Sequence, residues 1–288
     1  MKKRILGLLL VVVSTILVVA CAKKQEEVKT TESVADATET MSSQDDALIP
    51  VTVAASPTPH AEILYQIVDD MKEKGYELKV QEFSDYVLPN LAVDQDEIMA
   101  NYFQHEPYLD DFNRERGTQI VPIGKVHYEP FGIYKGVKDT LELESGDKVA
   151  VPNDVTNEAR SLNLLEAAGI IKLKEGVGLT ATKEDIVDNP YNVEIVELEA
   201  AQIPRSIDSV AIACMNGNYA MEAGFSVDDA IFIEPQESVA AKTYANIVCV
   251  KSGNENKEWA LALAESLRSQ KVKDFISSRF GKSVIAID

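Results

Sequence analysis

The sequence predicts an α/β fold of two lobes facing each other across a ligand cleft. Three observations carry this. Strand-like and helix-like segments alternate along the body, which implies mainly parallel sheets with helices on their faces. The same strand–helix unit is used twice, about a hundred residues apart, at "IPVTVAASPTPHAEILYQIVDDMKEKG" and "DKVAVPNDVTNEARSLNLLEAAG". The body, from about Leu48 to Asp288, runs to roughly 240 residues, a length suited to one large domain or two lobes.

Ahead of that body lie two segments of other kinds. Lys2, Lys3 and Arg4 precede an apolar run from Ile5 to Ala20. The run is short for a spanning helix, which needs about 20 residues, and reads as an export signal over 1–20. It ends Leu17-Val18-Val19-Ala20-Cys21, which resembles the lipobox of bacterial lipoproteins. Cys21 is then the lipidated N-terminus of the mature chain, on the extracytoplasmic face of the cell membrane. An ordinary signal peptide or an uncleaved anchor is the alternative. Residues 21–47 contain no aromatic side chain and little apolar surface. Such a stretch cannot bury enough to offset its ordering entropy, so it reads as a tether.

Removing Lys2, Lys3 and Arg4 takes the formal net charge from -19 to -22. No basic run is available to track phosphates, which argues against nucleic acid as a partner. Cys214 and Cys249 sit in apolar strand-like runs, outside any CxxC spacing. They read as buried free thiols, with a disulfide as the alternative.

Within the body, "IPVTVAAS" is a β-branched run. Thr58 is a good N-cap and Pro59 a good first helical residue. Leu64, Ile67, Val68 and Met71 repeat at i, i+3, i+4, i+7, predicting an amphipathic helix stopped by Gly75. "YELKVQEF" alternates as a strand, and "EIMANYF" (97–103) is another. "DKVAVPND" reads as a strand and "VTNEARSLNLLEAAG" as a helix, capped by Asp154 or Thr156 and stopped by Gly169. "YANIVCV" returns to a strand. Two helices follow, the first with Ala260, Leu263, Ala264 and Leu267 in register, and "SVIAI" is a strand or an extended tail. The C-terminal part is expected to pack back on the first lobe. That gives lobe 1 as 48–130 plus 246–288 and lobe 2 as 131–245.

Open α/β sheets meet ligands beyond the carboxyl ends of their strands, and two facing lobes make that an interlobe cleft. Tyr86 follows one strand. Phe103, His105 and Tyr108 fall where "ANYF" gives way to a helix; the plain alternative makes Phe103 and Tyr108 ordinary core. Arg160 lies early in a helix, where free N–H groups and the dipole favour anions, and its fork suits a carboxylate. Otherwise Arg160 is a surface partner of Glu158 or Glu166. Asn216 ends an apolar strand and Asn246 opens another; each offers a donor and an acceptor, or serves a turn or an edge.

Read together, "PHAEIL", "EFSDYVLPN", "ANYFQHEPYLDDFN", "GTQIVPIGKVHYEPFGIY", "VAVPNDVTNEAR", "DIVDNPYNVEIVELEAAQIPR", "NGNYA" and "YANIVCV" resemble the NlpA-type substrate-binding lipoproteins of methionine ABC importers, over nearly the whole body. The resemblance implies a type II periplasmic-binding-protein fold. It implies an aromatic pocket for the methionine side chain, matched here by Tyr86, Phe103, His105 and Tyr108, and polar contacts matched by Arg160, Asn216 and Asn246. It implies a monomer that takes L-methionine to a permease, with the ATPase reached only through that permease, no cofactor and no enzymatic turnover. A thioether gains about 0.3–1.5 kcal/mol against an aromatic ring, which suits such a pocket.

Three other readings remain. The same fold takes another apolar amino acid or a small peptide, since a methylene discriminates by only about 1–3 kcal/mol. A metal-binding lipoprotein would draw on His60, His105 and His127, the chain's three histidines, but these show no close ligand spacing. An enzyme finds no G-x-S-x-G, H-E-x-x-H or P-loop. Lobe closure is expected to hinge near Tyr128–Gly136 and Ala241–Asn246.

Overall fold

The computed structural model describes residues 47–234 and 243–287. The expected signal peptide, Cys21, the tether up to Asp46 and part of the second expected hinge lie outside the described residues. Among the described residues no helix is long and apolar enough to cross a membrane.

Strands β1 (Ile49–Ala55), β2 (Tyr76–Glu82), β3 (Ala100–His105) and β4 (Ile120–Tyr128) belong to a first sheet. The chain then crosses to β5 (Gly132–Lys135) and β6 (Lys148–Pro152), followed by the small pair β7 (Lys172–Leu173) and β8 (Ile186–Asp188). Strands β9 (Glu194–Leu198), β10 (Ile212–Met215) and β11 (Ala230–Ile233) complete a second sheet. Strands β12 (Asn246–Lys251) and β13 (Ile285–Ala286) return to the first. The six-stranded sheet has the order β13-β4-β12-β3-β1-β2, and the five-stranded one β11-β5-β10-β6-β9. β1 is parallel to β2 and β3, and β6 to β9 and β10, while β12 runs antiparallel between β3 and β4. The last apolar run is therefore a short strand on β4.

Helices cover these sheets: α1 (Glu62–Gln66), α2 (Val68–Glu73), α3 (Leu88–Asp94), α4 (Glu106–Arg116), α5 (Val155–Ala167), α6 (Ile203–Ser206), α7 (Gly217–Glu222), α8 (Glu258–Leu267) and α9 (Gln270–Phe280). β3 and β10 are buried at every position, which explains why they read as continuous apolar runs and not as alternation. One core joins Val51 and Val53 to Leu64, Ile67, Met71 and Leu263; another joins Val149 and Val151 to Leu162, Leu165 and Cys214. Cys214 and Cys249 are free and buried. Gly75 and Gly169 end α2 and α5 with φ of 90° and 76°, the left-handed conformation that glycine adopts without a Cβ penalty.

The first helix departs from its expected form. Ile67 has φ -102° and ψ 8°, and its N–H bonds Leu64 O at 3.1 Å in a tightened turn. That turn separates α1 from α2 and rotates the following residues. Ile63 joins the buried face, while Val68 is 37% exposed. Thr58 is extended (φ -127°, ψ 131°) as an N-cap should be, but caps no amide; its hydroxyl donates to Glu62 Oε1 at 2.9 Å. The third strand begins at Ala100, later than the expected 97, and runs on to His105. Arg160 has neither surface partner considered above. Glu158 accepts from the Lys183 amide and Glu166 from the Leu173 amide.

The broken helix makes a direct expectation. Ile67→Ala should cost about 2–5 kcal/mol in urea unfolding of the folded body, as for other fully buried isoleucines. Val68→Ala should stay within about 0.5–1 kcal/mol. Equal losses would restore the unbroken helical stripe.

Candidate functional site

β3 carries Phe103, Gln104 and His105 at its end, and α4 starts at the next residue. His105 is the N-cap, with extended backbone, and its Nδ1 accepts the Tyr108 amide at 3.2 Å. This turns Tyr108 toward Phe103. Tyr86 stands after β2, in a turn where Asp85 accepts the Val87 and Leu88 amides. On the second sheet, Asp154 caps α5 by accepting the Asn157 amide at 3.0 Å. Asn157 and Arg160, three residues apart, then share a helix face. β10 ends at Met215, and Asn216, Gly217 and Asn218 open α7. Glu129 follows β4 directly, and Asn246 is the first residue of β12.

These residues line one narrow, nearly closed cavity, with about 20 Å³ open to the centre of a water-sized sphere. All seven residues picked from the sequence line it: Tyr86, Phe103, His105, Tyr108, Arg160, Asn216 and Asn246. The ring of Tyr86 lies 5.7 Å from those of both Phe103 and Tyr108, and Phe103 and Tyr108 are 6.2 Å apart. These are ordinary tilted and edge-on aromatic contacts. Hydrogen bonds from α7 and α5 reach across the cleft to the first sheet's side. Tyr86 donates to Asn218 Oδ1 at 2.5 Å, Tyr219 donates to Ser84 O at 3.2 Å, and His105 Nε2 lies 3.1 Å from Asn157 Oδ1.

Arg160 is 5% exposed. Its Nε lies 3.2 Å from both oxygens of Glu234, and its Nη2 donates to Glu234 Oε2 at 2.5 Å and to the Glu129 carbonyl at 3.1 Å. Burial pulls the guanidinium pKa down, but Glu234 outweighs it and leaves it above its ordinary value. The Nε–Nη2 face of the fork therefore serves the protein's own carboxylate. Of the five donors of a guanidinium, those on Nη1 are left to meet a ligand. The side chain also packs over Tyr244 and Phe131, at 4.1 and 4.9 Å from the ring centres.

The hydrogen-bond directions in the wall follow from one fixed acceptor. The Asp154 carboxylate takes the Asn157 Nδ2 donors at 2.9 and 3.0 Å. Asn157 Oδ1 must then be the atom turned to His105 and Asn216, and it only accepts. His105 already accepts at Nδ1, so its proton is on Nε2 and is donated to Asn157. Asn216 gives Nδ2 to the same oxygen at 2.8 Å, which leaves its own Oδ1 buried without a partner.

The remaining two histidines form a second cluster. The sequence spacing suggested no close set, yet His60, His127 and Glu129 bring their ligand-type atoms within 4.8 Å of one another; His105 is not among them. His127 Nε2 is 2.7 Å from Glu129 Oε1, and His60 Nε2 lies 2.9 Å from Asn246 Oδ1 and 3.5 Å from Glu129. Tyr102 bonds His127 Nδ1. Burial lowers the pKa of His60 to about 4, and those of His105 and His127 to about 3. Arg160 adds to the effect on His105. Glu129 is shifted upward by burial, against the opposing influence of His60, the Asn218 amide and Arg160.

The family model for NlpA lipoproteins matches residues 51–287. The chain belongs to the NlpA lipoprotein family. It is 42% identical over 219 residues to the D-methionine-binding lipoprotein MetQ of Salmonella typhimurium, covering 74% of this chain and 79% of MetQ. A nutrient-binding protein from Burkholderia cenocepacia, solved bound to methionine, matches with a TM-score of 0.78 and 39% identity, covering 83% of this chain and all of that one. The periplasmic substrate-binding protein of an ABC transporter from Coxiella burnetii matches with a TM-score of 0.77 and 38% identity, over 82% of this chain and 100% of its own. The two-lobed α/β fold expected from the sequence is that of these neighbours.

In this NlpA lipoprotein the cavity wall also holds residues that sequence reasoning did not single out: Gln104, Glu129, Asn157, Gly217 and Asn218. Asn157 was findable, being a polar residue one helical turn before Arg160. Asn218 and Gly217 directly follow Asn216, at the same strand end. Glu234 gave no signal, as it lies 74 residues from the arginine it binds.

The buried histidines set a pH expectation. Unfolded histidine binds a proton near pH 6.5, whereas all three here do so well below that. The unfolded chain therefore holds more protons below about pH 6.5, and these groups withdraw stability as the pH falls through that value toward 4. All three imidazoles should remain neutral from pH 8 to 5.5 in an NMR titration of the folded body. Any one charging near 6.5 would contradict its place in the core.

Proposed function

We propose that this protein is a lipid-anchored, extracytoplasmic solute-binding protein that captures L-methionine and delivers it to the permease of an ABC importer. The observation that carries this reading is the cavity itself. A single space holds the aromatic cluster of Tyr86, Phe103 and Tyr108 together with Arg160, Asn157, Asn216 and Asn246. Flexible, polarizable methionine pairs well with the former, and an amino acid's charged end pairs with the latter. The methionine held by the Burkholderia neighbour and the importer context of the Coxiella neighbour support the assignment.

The rest of the molecule fits that role. The export signal over 1–20 and lipidation at Cys21 tie a monomeric body to the membrane through a tether. Lobe 1 comprises 48–130 with 246–288, and lobe 2 comprises 131–245. Closure turns on the two crossings between them, near Tyr128–Gly136 and Ala241–Asn246, and seals the ligand from water. The ligand leaves chemically unchanged. The permease meets the closed protein, and the ATPase acts only through the permease.

Calorimetry on the body from Ala47, stripped of ligand by unfolding and refolding, tests the proposal. L-methionine should bind one-to-one, with or without EDTA. Arg160→Ala should weaken it about 10- to 150-fold, the worth of a charge-assisted hydrogen bond of about 1.5–3 kcal/mol. Lys135→Ala, at an exposed site, should leave it unchanged. Unfolding of Arg160→Ala must be followed in parallel, because Glu234 loses its partner there. No heat with L-methionine, alongside binding of D-methionine, L-leucine or a short peptide, would reassign the ligand within the same fold.

A further inference from the structure

Within the ligand reading above, we infer that Glu129, held by His127 and joined by Asn216 Oδ1, is the acceptor for the ligand's α-ammonium group. Among the described residues, two charged side chains line the cavity, Arg160 and Glu129. The charge of Arg160 is matched inside the protein by Glu234. Glu129 makes no direct ion pair with a lysine or arginine: its carboxylate meets two imidazoles and the Asn218 amide. A buried carboxylate without a cation is costly, and an ammonium ion brought in by the ligand supplies one.

The carboxylate is built into place. His127 donates to Oε1 through Nε2, since the Tyr102 hydroxyl occupies the other ring nitrogen. The Asn218 amide donates to the same carboxylate. Its far side rests on Gly217, where a Cβ would come within 2.8 Å of Glu129 Cβ and 2.9 Å of Oε2. The glycine is thus needed for close approach. The second, independent observation is Asn216 Oδ1. It is buried and lacks a donor, and its orientation is forced by the chain of hydrogen bonds that begins at Asp154. Two acceptors in the wall of one cavity call for a donor group with several protons. An ammonium ion has three.

The same cluster has the residue types of a metal site, and His60 Nδ1 is buried without a partner, but the nitrogens that face Glu129 are already committed: His60 Nε2 lies 2.9 Å from Asn246 Oδ1. His127 has both nitrogens engaged, and the Glu129–His127 separation of 2.7 Å is that of a hydrogen bond. The inference therefore commits to an ammonium and leaves the metal as a result of the test.

The test pairs two ligands with two variants, read by NMR titration, which follows weak as well as tight binding. The ligands are L-methionine and 4-(methylsulfanyl)butanoate, which keeps the thioether and carboxylate but lacks the amine. Glu129→Gln should weaken L-methionine about 10- to 100-fold and change the deaminated ligand by less than about threefold. Gly217→Ala, which displaces the carboxylate without removing it, should act in the same direction and more mildly, and keeps the test open should Glu129→Gln not fold. Equal weakening of both ligands, or no effect on either, would overturn the inference and leave Glu129 a structural residue. One-to-one binding of zinc chloride that Glu129→Gln abolishes, with L-methionine affinity the same in both proteins after EDTA, would overturn it in favour of a metal site. Failure of wild-type protein to bind methionine at all would instead remove the functional reading on which it rests.

Discussion

A guanidinium cannot shed its proton inside a protein, so burying Arg160 obliges the fold to bring it partners. The structure meets that obligation with three elements at once. Glu234, just past β11, takes Nε and Nη2, and the Glu129 carbonyl, just past β4, takes Nη2 as well. Tyr128 adds a hydrogen bond to the same glutamate at 2.6 Å, and the Glu234 amide bonds Phe131 O at 2.9 Å. α5, the end of β4, the start of β5 and the end of β11 are thereby fixed to one another where the chain passes from one sheet to the other. Replacing such a pair by apolar groups is often neutral, but removing one member leaves an uncompensated buried charge. The place where one sheet hands the chain to the other and the place where buried charge lines the cavity are the same.

From that point the polarity of the cavity is set by a relay of acceptors. The Asp154 carboxylate orients Asn157, Asn157 orients His105 and Asn216, and the Tyr108 amide keeps the proton of His105 on Nε2. His60 and His127 are neutral for the same reason as His105, namely exclusion of water. Neutral imidazoles are directional: each has one donating and one accepting edge, so each transmits orientation to its neighbour. The histidine in "NYFQHEPYLDDF" is accordingly a wall residue and a helix cap that aligns the groups around it.

Much of this was legible in the sequence, and the reason is locality. Phe103, His105 and Tyr108 lie within one strand-to-helix turn, Asn216 stands just past a strand end, and Arg160 lies in the second turn of the helix that follows β6. Rules about strand ends and helix starts reach such positions without knowledge of tertiary contacts. The lobes were legible because alternation and length report on layers. What escaped was long-range. The Arg160–Glu234 pair spans 74 residues and the His60–Asn246 contact 186, and no local pattern marks either. The gathering of His60, His127 and Glu129 was missed because sequence separation is a poor guide to distance across a sheet. The turn at Ile67 was missed because the apolar spacing around it satisfies an unbroken helix; only the packed structure shows Val68 facing outward.

The first sheet is built from both ends of the body, with the second inserted between β4 and β12, so the polypeptide passes between lobes twice. This has a kinematic consequence. One connection would let the halves swivel about a point, whereas two connections side by side restrict them to fewer rotations, like a door on two pins. Under the closure proposed above, every stroke would follow the same arc and bring the same atoms together: Tyr86 to Asn218, Tyr219 to Ser84, His105 to Asn157. A guest too bulky for that arc would hold the door ajar, and cargo would be measured by whether the latch engages.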